Sequence, residues 1–396
     1  MSHAKPILAN PIHSNGCVRD SRRAAAGPAD PASSYSRASR PRRSASWWPP
    51  PNFSTVATLT MPNFLALGIA TMLRLWIPLL LLFGFANSAV SADVTADAVN
   101  GAELSKRPPS EEKMDPVAIR AQVLLDRAHV SPGEIDGRFG DNARKALAAF
   151  AKAQGLDSGA KLTPPLWDAL LRADPSPAIV RYRITRQDVK GPFLKKLPRR
   201  MEDMKDLPAL RYTSPREALA EKFHMSEALL AALNPSSRFD KEGQEIAVAN
   251  VVKPDETVPE ITRLDIDKQA ETVKAFDKDD KPVAVFPATV GSDDKPTPVG
   301  SFKVDSIDAN PNYRYNPNYK FKGVKARKPF TIKPGPNNPV GATWIGLSVG
   351  QGYGIHGTAE PSKVGKSESH GCVRLTNWDA KFLGAHLAKT ATVELH

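Results

Sequence analysis

The chain has 396 residues, enough for two or three domains that each bury a core of their own. With 41% hydrophobic and 24% charged residues, it falls outside the compositions of disordered, collagenous and disulfide-rich chains. Of the net charge of +12, +7 lies in residues 1–92 and +5 in the rest; no basic helix or aromatic-studded basic stripe accompanies it, which argues against a nucleic-acid partner.

Residues 1–60 are rich in Arg, Ser, Pro and Ala and lack periodicity, so they read as a disordered or mis-assigned N-terminal extension. The signal peptide region is 61–92. Met72-Leu73-Arg74 is a short charged start, Leu75–Ala86 an apolar core, and Val90-Ser91-Ala92 supplies the small residues of a cleavage site. Pro78 interrupts the apolar run, which is short for a bilayer, so contact with the membrane is expected only in transit through this segment. Of the two cysteines, Cys17 lies upstream of the signal and Cys372 near the C-terminus. The exported chain then holds one thiol and no internal disulfide, which favours a chemical role for Cys372.

Residues 93–114 form a polar linker. Over 115–173 the pattern is helical: Val117, Ala121, Leu124 and Leu125 make one apolar stripe, and Ala143, Ala146, Leu147 and Phe150 a second. Between them lies the glycine-punctuated turn Ile135-Asp136-Gly137-Arg138-Phe139-Gly140. Gln122, the Asp136–Gly140 turn and Ala146–Phe150 together resemble a small three-helix peptidoglycan-binding module, although Ala151 stands where that family often has Gln. A second linker, rich in Pro and Lys/Arg, is expected over 174–206. In 207–253, a strand at Leu210–Thr213, helices at Pro215–Phe223 and Ser226–Leu233 and a strand at Glu245–Val248 give a βααβ order. That order is similar to a LysM module, a glycan binder, with Pro215-Arg216 replacing the usual Gly-Asp.

From 258 to 396 the texture is mostly β. Strands are expected at Leu264–Ile266, Thr272–Phe276, Val283–Phe286 and Ala391–Leu395, with a hairpin turn at Lys278–Lys281. Asn377 is expected to cap a helix that runs through Phe382, Leu383 and Leu387 into the last strand. The fold class is therefore α+β and multidomain: a three-helix unit, a βααβ segment and a C-terminal, mostly-β domain.

The chemistry concentrates in Ile355-His356-Gly357-Thr358 and Ser369-His370-Gly371-Cys372-Val373-Arg374. A cysteine attacks carbonyls as thiolate, and a nearby histidine can take its proton near neutral pH. Gly371 lets the backbone approach a substrate and aim amides at an oxyanion. On an extended segment Arg374 faces the same side as Cys372, beside which its guanidinium can meet a carboxylate. Three readings compete: a Cys372–His356 pair, a zinc site of His356, His370 and Cys372, or a structural cluster. Zinc lacks a further acidic or Cys ligand at motif spacing, and neither CxxC nor HExxH occurs. Gly16-Cys17-Val18-Arg19 repeats the tetrapeptide without its surroundings, so the composite carries the signal rather than "GCVR" alone.

That composite, with Thr297–Phe302, Lys333–Gly341, "WIGLS" and "GYGIHGT" in order before it, strongly resembles the catalytic domain of YkuD-type L,D-transpeptidases over about Ile261–His396. Many members carry Asn where Arg374 stands. The resemblance implies a nucleophile at Cys372, a general base at His356 and an oxyanion loop at His370 and Gly371. It places substrate contacts or supports at Arg374, Ser369, Gly357 and Thr358, with Lys363 and Lys366 on a solvated loop between the motifs. The implied partners are peptidoglycan stem peptides and glycan strands, and no metal or cofactor is needed. The implied reaction is 3→3 cross-linking through a thioester on an exported, periplasmic, wall-associated enzyme. Hydrolysis of the same thioester (a carboxypeptidase or hydrolase) and non-catalytic wall binding are the alternatives. The two smaller modules are expected to act as tethers that concentrate stems near the catalytic domain.

Overall fold

The computed structural model describes residues 94–396 except Ser158, 253–256, 293–294, 320–323, Gln351, Glu368 and His370. The expected N-terminal extension and signal region lie outside the described residues, as does the oxyanion role expected of His370. No helix among the described residues is long and apolar enough to cross a membrane.

The N-terminal helices are α1 (Pro116–Arg127), α2 (Asp141–Ala153) and α3 (Pro164–Ala173). Asp115 caps α1 by accepting from the amides of Val117 and Ala118, and Pro116 suits the first turn, where an amide has no partner to lose. Two faces of α1 are buried. Ala118, Ala121, Leu124 and Leu125 join a core with Leu147, Phe150, Leu166 and Leu170. Ile119 and Val123 join another with Leu219, Phe223, Leu229 and Ile246. The turn between α1 and α2 is held by Gln122, whose Oε1 accepts from the Gly137 amide at 2.8 Å and whose Nε2 donates to Asp136 at 3.0 Å.

The βααβ order is present, but its first strand lies further upstream than expected. Leu210–Thr213 forms no strand; β1 is Ile179–Arg183, inside the expected linker, followed by α4 (Pro215–Lys222), α5 (Glu227–Leu233) and β2 (Glu245–Ala249). β1 and β2 pair antiparallel, Ile179 opposite Ala249 and Arg183 opposite Glu245. The expected 93–114 linker likewise contains a short helix at Ala96–Asn100, whose Val99 enters this core.

The C-terminal part is built on β3 (Ile261–Asp267), β4 (Thr272–Phe276), β5 (Pro282–Pro287), β6 (Gly300–Ala309), β7 (Thr343–Leu347), β8 (Gly354–His356), β9 (Val373–Arg374), helix α6 (Asn377–His386) and β10 (Leu387–Leu395). These eight strands form one sheet in the order β9-β8-β7-β6-β10-β3-β4-β5, and Tyr313–Tyr315 and Phe330–Ile332 pair in a separate two-stranded sheet. The β8–β9 and β10–β3 pairs are parallel and the others antiparallel. Ile261, Leu264, Val273, Val304, Ile345, Ile355, Val373, Leu383 and Val393 share its core. Thr376, not Asn377, caps α6, through a bond from the Asp379 amide to its hydroxyl at 3.1 Å. The cap therefore lies one residue earlier than expected and frees the Asn377 side chain for other contacts.

The helical unit packs against the eight-stranded sheet rather than standing off on a linker. His129 and Ser131 extend the edge of β5: Ser131 N donates to Val285 O at 2.8 Å, and Val285 N to His129 O at 2.9 Å. Covering an edge strand in this way removes a site of unwanted pairing. Ser131 Oγ donates to Asp379 Oδ2 at 3.0 Å, and Lys145 pairs with Glu271 at 2.8 Å.

Candidate active site

The parallel β8–β9 register sets Ile355 beside Val373 and His356 beside Arg374. Ile355 and Val373 are fully buried in the sheet core, so His356 and Arg374 project from the opposite face. Cys372, two positions before Arg374, falls on that same face. Pairing of strands distant in sequence thus brings both motifs together.

His356 is only 4% exposed and lies parallel to Trp344 of β7, with ring centroids 5.7 Å apart and an 18° tilt. Its Nδ1 is 2.6 Å from the Gly357 carbonyl oxygen. A carbonyl only accepts, so Nδ1 carries the proton and Nε2 keeps a lone pair, the tautomer a general base requires. The main chain is fixed as well, since Leu375 N donates to His356 O at 2.8 Å. Burial, reinforced by the Arg374 guanidinium, lowers the His356 pKa to about 3 against the opposing pull of the Gly357 carbonyl.

The Cys372 thiol donates to the Gly352 carbonyl at 3.3 Å, and among the described residues no hydrogen bond joins it to His356. Burial pushes the thiol up to about 11, although the Gly354 amide and Arg374 both favour the thiolate. At neutral pH the site therefore holds a neutral thiol and a neutral imidazole. Arg374 is itself shifted downward by burial, opposed by Glu360 and Cys372, and its Nε is buried without a hydrogen-bond partner among the described residues. An unmet donor on a charged group is costly and fits a site awaiting an acceptor.

The turn that presents Cys372 is tightly bonded. Ser369 Oγ donates to Cys372 O at 2.5 Å and accepts from the Gly371 amide at 3.2 Å. Gly371 has φ +107°, a conformation that favours glycine, and a Cβ there would press on the Tyr353 ring at 3.1 Å. Thr358 Oγ1 accepts from Glu360 N at 3.1 Å, a local turn contact that points to support of the loop. Lys363 pairs with Glu360 at 2.6 Å.

Several residues that organise the site had no sequence signal of their own. Thr289 is fully buried and exchanges both backbone hydrogen bonds with Arg374, at 2.8 and 2.9 Å. Its hydroxyl accepts from Gly365 N at 2.9 Å, tying the 359–365 loop to β9. From α2, Asn142 Nδ2 donates to Val364 O at 2.8 Å and braces the same loop. Among the described residues no group of His, Cys, Asp and Glu has the arrangement of a metal site. A cavity of about 320 Å³ lies elsewhere, against Asp126, His224, Trp378 and Asp379.

The architecture is thus a mostly-β domain with a cysteine, a histidine and an arginine gathered on one sheet face, preceded by helical and βααβ segments. Residues 261–395 match the L,D-transpeptidase catalytic domain family YkuD. A Bacillus licheniformis protein named as an L,D-transpeptidase, YkuD, is 30% identical over 165 residues, 41% of this chain and 82% of that protein. The Escherichia coli protein YbiS, also named as an L,D-transpeptidase, is 30% identical over 178 residues, 43% of this chain and 56% of that one. The structure of residues 123–326 of an L,D-transpeptidase from Xylanimonas cellulosilytica aligns with 74% of this chain and all of that one, at 14% identity and a TM-score of 0.32. The chain belongs to the YkuD L,D-transpeptidase family.

Proposed function

We propose that this chain is a peptidoglycan L,D-transpeptidase in which Cys372 carries the acyl group and His356 moves the proton. The observation that carries this reading is the common face of Cys372, His356 and Arg374, with the His356 tautomer set by Gly357. In the first half-reaction the thiol leaves the Gly352 carbonyl, His356 Nε2 takes its proton, and Sγ attacks the carbonyl of the third stem residue. His356 returns that proton to the departing amine as the C–N bond breaks, which releases D-alanine and leaves a thioester. An amine of a second stem then attacks the thioester, forms the 3→3 amide and returns the proton to sulfur. The donor's peptide bond supplies the energy, so no nucleotide or cofactor enters the balance.

Amides around Gly371 and Cys372 serve the oxyanion, and the unpaired Arg374 Nε receives a substrate carboxylate or carbonyl. Ser369, Gly357 and Thr358 hold the two motif loops in shape. The helical unit and the βααβ segment contribute wall-facing surfaces for peptidoglycan on an enzyme exported to the periplasm. The test is mass spectrometry of meso-diaminopimelate tetrapeptide muropeptides incubated with the protein, beside a Cys372→Ala control. Cross-linked dimers absent from the control are expected. Tripeptide without dimers would replace transfer by hydrolysis, and untouched substrate would leave wall binding alone.

A further inference from the structure

Resting on the assignment of His356 as the base, we infer that Glu221 is a positioning residue for His356, acting from outside the catalytic domain through Asn377. Glu221 sits near the end of α4, in the βααβ segment, and its carboxylate is at the centre of a small network. Oε2 accepts from Asn377 Nδ2 at 2.8 Å, while Oε1 accepts from the Tyr212 hydroxyl at 2.6 Å and from Lys381 Nζ at 3.0 Å. Asn377 is fully buried, and its amide has one orientation only. Both Nδ2 protons are used, on Glu221 and on the Pro336 carbonyl at 3.0 Å. Oδ1 is therefore turned the other way, where it accepts from Ala342 N at 3.0 Å.

That orientation sets the backbone after His356. A Cβ on Gly357 would lie 2.3 Å from Asn377 Oδ1, and one on Gly341 would lie 2.2 Å from it. The Gly357 backbone thus rests directly on the Asn377 amide and is further held by its N–H bond to Thr343 O at 3.1 Å. The Gly357 carbonyl is the acceptor for His356 Nδ1–H. One chain of contacts therefore runs from the α4 carboxylate to the proton that defines the base. Removing the carboxylate takes away one of the three bonds that fix the Asn377 amide, leaving Pro336 O and Ala342 N, and so loosens the support beneath the Gly357 carbonyl. His356 then samples orientations from which Nε2 cannot take the thiol proton. Among the described residues neither Glu221 nor Asn377 makes a side-chain hydrogen bond to Cys372 or Arg374, so the effect is expected on the rate rather than on substrate binding.

The test compares the full chain with Glu221→Ala and Glu221→Gln, by first-turnover D-alanine release and by melting temperature. Glu221→Ala is expected to lower the first-turnover rate by about tenfold, short of the hundredfold that a 1 Å misplacement can cost, with half-saturation unchanged. Its rate is also expected to rise with pH, because reaction then depends on thiolate formed without the base. Glu221→Gln keeps an acceptor for Asn377 and is expected to recover most of the rate. A second comparison does not depend on the alanine variant folding. Asn377→Asp sets two carboxylates face to face, and adding Glu221→Gln restores a donor–acceptor pair, so the double variant is expected to outpace Asn377→Asp alone. A wild-type rate in Glu221→Ala, a loss confined to half-saturation, or no recovery in the double variant would overturn the inference. A His356→Ala control separates the two levels. If it acylates as fast as wild type, the base assignment fails and the positioning role with it; if it is slow while Glu221→Ala is not, only the positioning role fails.

Discussion

The neutral thiol–imidazole pair makes a prediction that separates two mechanisms by pH alone. If a preformed thiolate attacked, a thiol pKa of about 11 would leave about one molecule in ten thousand reactive at pH 7. The first-turnover rate would then climb about a thousandfold between pH 6 and pH 9, one decade per unit. If His356 removes the proton during attack, the reactive form is the neutral pair, which is fully populated between about pH 3 and about pH 11. The rate should then be flat, within about twofold, across pH 5.5 to 9. An imidazole of ordinary pKa would instead lose about tenfold between pH 8 and pH 5.5. The assay is rapid-quench measurement of D-alanine release in the first turnover, at saturating tetrapeptide. A tenfold rise per pH unit would refute the coupled proton transfer, and an acid limb near pH 6.5 would refute the buried, depressed histidine.

Other substitutions test the supports of the site. Gly357→Ala places a methyl group 2.3 Å from Asn377 Oδ1, so it should destabilise the protein by about 1–3 kcal/mol in thermal melts and slow acylation even when folded. Ile119→Ala hollows the core shared by α1 and the βααβ segment, and chemical denaturation should report a loss of about 2–5 kcal/mol. Asn142→Ala removes the bond to Val364 O, and trypsin should then cut faster after Lys363 and Lys366. Asp379 is buried and raised to about 7, chiefly by burial, so its contribution to stability is fully present below about pH 4 and is lost progressively as pH rises from there to about 7. Asp379→Asn should therefore gain most over wild type in melting temperature at pH 8, with the gain shrinking as pH falls below 7 and gone below about pH 4.

The β elements were legible where alternation was clean. Thr272–Phe276 was expected with the bounds it has, and Val283–Phe286 and Leu264–Ile266 lie inside longer observed strands. Ile179–Arg183 was missed because its short alternation sits among Pro and Lys/Arg residues, and its partner, Glu245, is 62 residues beyond Arg183. Pairing at that distance overrides local texture. Cys372 and His356 stood out because their motifs are contiguous; the parallel β8–β9 pairing then gathers them with Arg374. Thr289, Asn142, Asn377 and Glu221 act only through tertiary contacts, so nothing local to each marked it. Asn377 shows the difficulty well: its residue type suggested a cap, yet Thr376 takes that role and the amide is used elsewhere. Asn142 bonds the loop at Val364, and Glu221 bonds Asn377 beside Gly357, so contacts from both N-terminal modules reach residues around the site.

The central claim is that Cys372 carries an acyl group during turnover. Intact-mass spectrometry of the full chain, quenched within the first turnover on tetrapeptide stem and then mapped by peptide fragmentation, tests it directly. The account predicts a mass increase equal to the tripeptide acyl group, located on Cys372, absent from Cys372→Ala and slow to form in His356→Ala. An unmodified Cys372 during active D-alanine release, or an adduct on another residue, would contradict it.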